Sequence, residues 1–174
     1  MLIKRILVLL VSSLYAAQSL FCAASAKNAI LLIPDGMSPA AASLARMYKG
    51  SDLAIDAYAC GFVKTHMAEG PITDSAAAAT AMSTGHKTNS GFLACLPDRA
   101  GMPGAVADRK KSRMPVATLL EAAMLAGKST GIVATSYVQH ATPAGFTSHY
   151  PDREAYETIA EQQVYLGIDV VLGG

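Results

Sequence analysis

Three features of this 174-residue chain predict an α/β fold with a largely parallel central sheet and helices on both faces. Apolar runs rich in branched side chains stand at 28–33, 130–135 and 169–172. Segments with helix caps and helical spacing alternate with them, as parallel strands joined by crossover helices require. A Pro-Asp-Gly turn closes the first run. In such sheets ligands gather beyond the carboxyl ends of the strands, so residues directly after each run are the site candidates.

The first 26 residues stand apart from that pattern. Lys4 and Arg5 precede an apolar run over 6–14, and Ala24-Ser25-Ala26 offers a small-x-small cleavage site. This reads as a secretory leader over 1–26, too short for a good membrane span, with an uncleaved anchor as the alternative. Phe21 directly before Cys22 disfavours a lipoprotein signal. Export, to a periplasm or the outside, is expected. Lys4 and Arg5 are two of 14 cationic residues and the leader holds none of the 13 acidic ones. The remainder therefore carries 12 against 13, a net charge of −1. A near-neutral surface gives no electrostatic reason for nucleic acid or an anionic membrane as partner. Cys60 and Cys95 remain after cleavage. One disulfide or two free thiols are equally open, and no metal-type cysteine spacing exists.

Asn28 to Ile33 is continuous and branched, the pattern of a strand buried on both faces. Ser38 caps a helix with Pro39 at its first position, running to Gly50. Residues 60–67 read as a second strand. Asp74-Ser75 opens an alanine-rich helix that ends near Gly85, and 89–113 read as a loop or an excursion from the core. Pro115 begins a helix with Leu119, Leu120, Ala123 and Met124 on one face and Gly127 as its stop. Residues 130–135 form the next strand. Asp152 caps a helix through about Leu166, and 169–172 form the last strand. The chain then ends on Gly173-Gly174 with no closing helix. Residues 27–174 are thus expected to be the N-terminal part of a single α/β domain, incomplete in this chain.

Chemistry concentrates in Ile72-Thr73-Asp74-Ser75-Ala76-Ala77-Ala78-Ala79-Thr80. Ser75 sits where a helix begins, where unsatisfied N–H groups and the helix dipole favour an anion. The alanines allow close approach of neighbouring elements. Ser or Asp before an alanine run is more often a plain N-cap, so spacing alone does not assign a nucleophile.

The whole string resembles the active-site signature of the alkaline phosphatase family. Four further matches follow in order over most of 28–174: the run 28–37, Ser83-Thr84-Gly85 with Lys87-Thr88, the segment 139–144 and the segment 169–174. The resemblance implies phosphate monoester hydrolysis through a phosphoserine at Ser75, with two zinc ions and one magnesium ion. It makes Asp35 the carboxylate bridging a zinc and the magnesium, a task suited to an oxygen ligand of hard cations. Thr142 becomes a hydroxyl ligand of magnesium, with His140 where members carry Asp or His near that ion. Arg153 becomes the guanidinium that grips phosphate with paired donors. Taken alone, Asp35 would be a turn residue, His140 a surface histidine and Arg153 a solvated side chain.

Zinc lowers the pKa of a coordinated hydroxyl, and two metals together clamp the attacking and leaving oxygens. Yet His66, His86 and His149 are scattered, and no Asp-x-x-x-His pair occurs. The remaining ligands are therefore expected outside this chain, and these 174 residues alone are expected to have little activity. Pro34 stands where the family favours Gly, and proline constrains the local turn. The expected partners are small phosphate monoesters, with a homodimer at full length left open. Two rivals remain: a metal-independent serine hydrolase, and a non-catalytic exported fragment that keeps part of the fold. The first needs Gly-x-Ser-x-Gly, whereas Ser75 lies in Thr-Asp-Ser-Ala-Ala.

Overall fold

The computed structural model describes residues 26–174, so the expected leader lies outside the described residues except for Ala26. The chain divides into two units, 1–34 and 35–174. In the described part of the first, residues 28–33 form no strand, and Ile30, Leu31 and Leu32 are exposed. That corrects the sequence expectation: an apolar run becomes a strand only when a neighbour supplies ladder bonds.

The second unit opens with helix α1, Pro39–Lys49, formed as its caps predict. Ser38 Oγ accepts the Ala41 N–H, and Pro39 occupies the first turn, where its missing donor costs nothing. Gly50 ends the helix at φ 73°, a left-handed conformation, and donates to Arg46 O. Arg46 in turn forks onto Asp56 with bonds of 2.8 and 2.5 Å. Asp56 also accepts the Leu53 N–H, which ties the 3₁₀ turn Asp56–Tyr58 to α1. Residues 60–67 form no strand either, and Phe62 and Val63 are exposed. The same cause holds there, since the described sheet has two strands and neither pairs with this run.

Helix α2, Ser75–Thr84, is capped by Asp74, whose side chain accepts from Ala77 N. Ala76, Ala77, Ala79, Thr80 and Ser83 are buried, so this helix is the centre of the unit. The segment after it is a loop, but its stretch 92–95 is core rather than excursion. Thr80 Oγ1 is the reason: it donates to Phe92 O at 3.0 Å and accepts from Ala94 N at 2.9 Å. Isolated bridges Leu93↔Tyr150 and Cys95↔Pro115 flank Ala94, which takes the unusual φ of 41°. The 95–115 bridge, with Val116 N bonded to Ala94 O, holds 115–116 extended. Helix α3 therefore starts at Leu119 and not at Pro115, spanning Leu119–Leu125 under a capping box of Thr118 and Glu121.

Strand β1, Gly131–Val133, pairs in parallel with β2, Val170–Leu172, shorter than the sequence runs but in the expected places. Two helices cross between them. Helix α4, Ala141–Thr147, was not foreseen, because Pro143 and Gly145 disguise it. Helix α5, Tyr156–Leu166, begins four residues after the expected cap. Asp152 accepts from Glu154 N instead, making a turn ahead of the helix. The core cluster is Ala76, Leu93, Ala141, Ala144 and Ile159, joining α2, the 92–95 stretch, α4 and α5. Both cysteines are free, Cys60 exposed and Cys95 buried, and burial pushes the Cys95 thiol up to about 11. Among the described residues no helix is long and apolar enough to cross a membrane.

Helices α2 and α4 meet through small residues. A Cβ on Gly145 would lie 2.6 Å from Ala79 Cβ, so only glycine fits. Ser83 Oγ donates to Gly145 O at 2.5 Å across the same contact. Gly145→Ala should destabilise the fold by about 1–3 kcal/mol, the cost of overpacking a close contact, read as a lower denaturant midpoint. The Arg46–Asp56 clasp gives a second expectation. The Arg46 hydrogen bonds hold the Asp56 carboxyl down at about 2. Its stabilising effect is present above the usual carboxylate range, near pH 4, and fades as pH falls through about 2. Asp56→Asn should lower the thermal midpoint at pH 6, with the gap to the parent closing near pH 2.

Candidate functional site

Packing of α2 on α4 brings the N-termini of both helices to one point. Ser75 is the first residue of α2 and Thr142 the second of α4. Asp35 stands at the start of its unit, just before Gly36, whose φ of 75° suits glycine. Ser75 Oγ donates to Asp35 Oδ2 at 2.8 Å, and Thr142 Oγ1 donates to the same oxygen at 3.0 Å. Three predicted residues separated by 40 and 107 positions thus share one carboxylate oxygen. Asp35 is solvent-exposed and Ser75 and Thr142 half-buried, so the cluster is accessible.

The Ser75 hydroxyl holds the Asp35 carboxyl below its usual range, with Thr142, Arg153 and His140 adding in the same direction against partial desolvation. Asp35 is therefore a firm anion and a weak base at neutral pH. Arg153 and His140 act on it through charge alone, without a hydrogen bond. His140 is the N-cap residue of α4, its ring making no capping bond.

Arg153 is held by a residue that spacing did not single out. Asp74 Oδ1 accepts from Ala77 N at 3.0 Å, while its Oδ2 accepts from Gly91 N at 3.0 Å and Arg153 Nη1 at 3.3 Å. One carboxylate caps α2, pins the 89–91 turn and steers the guanidinium toward the Ser75 end of the helix. The sequence signal was present in the Asp-Ser pair, but the 79-residue span to Arg153 has no period to reveal it.

A second network, also missed, braces the back of the site. Thr118 Oγ1 donates to Phe146 O at 2.9 Å, and Glu121 Oε2 accepts from Thr118 N at 2.7 Å. Glu121 Oε1 meets His149 Nε2 at 2.8 Å, and His149 Nδ1 lies 3.1 Å from Ala94 O. Gln163 donates to Val138 O at 2.7 Å and to Thr147 Oγ1 at 2.9 Å, bracketing the segment that bears His140 and Thr142.

The donor set at Asp35 is one carboxylate and two hydroxyls, all oxygen, which suits a hard cation such as magnesium. Zinc is served less well: among the described residues no three of His, Cys, Asp and Glu gather as a metal site. His66, His86 and His149 remain apart from the cluster, with His149 committed to Glu121. A shallow cavity of about 450 Å³ lies elsewhere, lined by Arg46, Asp52, Leu53, Asp56, Ala57 and Ala59. Its charged pair is already bonded to itself and it holds none of the predicted site residues.

The chain is similar to known proteins over most of its described length. The model of the alkaline phosphatase family matches residues 26–174. The alkaline phosphatase of Schizosaccharomyces pombe is 38% identical over 160 residues, covering 85% of this chain and 27% of that protein. The crystal structure of a cold-active alkaline phosphatase from a psychrophilic Shewanella superposes with a TM-score of 0.69 at 36% identity, covering 80% of this chain and 34% of the other. A His-to-Asp mutant of the alkaline phosphatase from the Antarctic bacterium TAB5, with Mg bound in its M3 site, matches at TM-score 0.60 and 29% identity, covering 75% of this chain and 34% of that one. The chain spans about a quarter to a third of the length of these relatives.

Since the Ser75 hydroxyl does most to keep Asp35 ionised, Ser75→Ala should raise the Asp35 pKa more than Thr142→Val does. Carbon-13 NMR of the labelled carboxylate reads both shifts, and the reverse order would contradict the hydrogen-bond assignment.

Proposed function

This chain belongs to the alkaline phosphatase family, and on that premise we propose that it contributes the nucleophile end of a phosphate monoester hydrolase. The convergence of Ser75 and Thr142 on Asp35 Oδ2 carries this reading. In it Ser75 Oγ attacks the phosphorus, the ester P–O bond breaks, and the alcohol leaves with a proton. Water then attacks the phosphoserine, the Oγ–P bond breaks, and Ser75 regains its hydrogen as inorganic phosphate departs.

Each residue has a stated task. Ser75 opens α2, where unpaired N–H groups and the helix dipole favour the negative phosphoryl oxygens. Its proton points at Asp35, but a carboxylate held below its usual range is too weak a base to take it unaided. Two zinc ions, if bound, would supply that activation and stabilise the leaving oxygen, with one magnesium ion in a supporting role. Asp35 and Thr142 would hold magnesium, with His140 beside it. Arg153, steered by Asp74, grips two phosphate oxygens. Among the described residues no cluster of three His, Cys, Asp or Glu completes a zinc site, and these residues alone are expected to show little activity. Residues 1–26 serve as the export leader and 27–174 as part of one α/β domain, with small phosphate monoesters as substrates in a periplasmic or extracellular setting.

The lack of a three-ligand cluster among the described residues favours a second reading, an exported chain that keeps part of the fold without catalysis. One experiment separates the two. The full gene product, loaded with zinc and magnesium, should hydrolyse p-nitrophenyl phosphate and yield acid-stable phosphoserine after quenching. Ser75→Ala should lower kcat/KM by about a thousandfold or more and abolish the label, and a chelator should silence the parent. Unlabelled protein with no turnover would sink the enzyme reading. Activity that survives the chelator would sink the metal-dependent one.

A further inference from the structure

Arg153 has a second carboxylate partner besides Asp74. Its Nε lies 3.2 Å from Glu154 Oε1, while its Nη1 lies 3.3 Å from Asp74 Oδ2. Nη2 has no protein acceptor among the described residues. The two carboxylates differ in what else they do. Asp74 also caps α2 and holds Gly91, so its removal would disturb the architecture. Glu154 makes no bond to α2 and its side chain is 64% exposed, against 21% for Arg153.

The Glu154 backbone is nevertheless fixed in place. Its N–H donates to Asp152 Oδ1 at 2.9 Å, and its carbonyl accepts from Tyr156 N at 2.8 Å. Local desolvation together with the Glu154 charge raises the neighbouring Tyr156 phenol, so it stays neutral beside that carboxylate. The guanidinium therefore has an anion 3.2 Å from its Nε before any phosphate arrives.

We propose that Glu154 competes with bound phosphate for the Arg153 guanidinium and so weakens the site's hold on inorganic phosphate. The inference rests on the reading of Arg153 as the phosphate grip. Its physical basis is simple: two anions sharing one cation repel each other, and a phosphate on Nη1 and Nη2 sits within a few ångströms of the Glu154 charge. Because Glu154 is exposed, solvent screening keeps the effect modest. Losing the charge while keeping an acceptor should strengthen phosphate binding rather than weaken it, the opposite of what loss of a structural contact would do.

Titration calorimetry with inorganic phosphate on the metal-loaded full gene product tests this. Glu154→Gln should tighten the phosphate Kd by about threefold to tenfold. Glu154→Ala should move it in the same direction. Glu157→Gln, the same charge change three residues along, should leave it near the parent. Equal Kd values for parent and Glu154→Gln, weaker binding in that variant, or equal tightening by both glutamine variants would each overturn the inference while leaving Arg153 as the grip. If phosphate binds none of the proteins, the reading of Arg153 fails and the inference falls with it.

Discussion

Helices α2 and α4 lie as close as backbone allows, because Gly145 has no side chain to hold Ala79 away and Ser83 bonds across the gap. The rest of the unit depends on that approach. The two helices present their first turns to the same point, so Ser75 and Thr142 reach one oxygen of Asp35. Larger side chains along α2 would separate the helices and leave the hydroxyls with separate environments. The alanine run is thus a positioning device, and the small residues matter for what they do not occupy.

A second layer makes the approach rigid. Thr80, fully buried on α2, takes both hydrogen-bonding groups of its hydroxyl to the 92–94 backbone and so draws a loop into the core. That loop then supplies Ala94, whose carbonyl serves Val116 and faces the His149 ring. The unusual backbone of Ala94 is over-determined by these bonds, the condition under which such a conformation persists. Asp74 performs the corresponding task at the other end of α2, where one carboxylate links the cap, the 89–91 turn and Arg153. Apolar burial alone would leave those pieces free to slide.

Charge and chemistry follow from the same geometry. A carboxylate that receives two hydroxyl donors stays ionised and loses basicity, which suits it to a cation more than to proton transfer. An arginine between Asp74 and Glu154 is oriented but partly neutralised. Site and scaffold are therefore one network: the groups that hold the helices together also set the charge state of the residues at their tips.

Local signals determined much of this protein. Ser38, Pro39 and Gly50 placed α1 to the residue, Asp74 and Gly85 placed α2, and the apolar runs placed β1 and β2, because caps and short periodicities act within a turn or two of chain. The string around Ser75 and the positions Asp35, His140, Thr142 and Arg153 were singled out by their resemblance to the family's motifs. Tertiary structure decided what spacing could not. The runs 28–33 and 60–67 have strand composition but no ladder, since a strand is a property of a pair. Pro115 lost its helix start to a bridge with Cys95, and 92–95 became core through a threonine twelve or more residues away. The shared oxygen of Asp35, the reach of Asp74 to Arg153 and the Glu121–His149 brace all join residues far apart in sequence. No one-dimensional pattern encodes such meetings, because they exist only once the close contact of α2 and α4 has fixed where the chain returns.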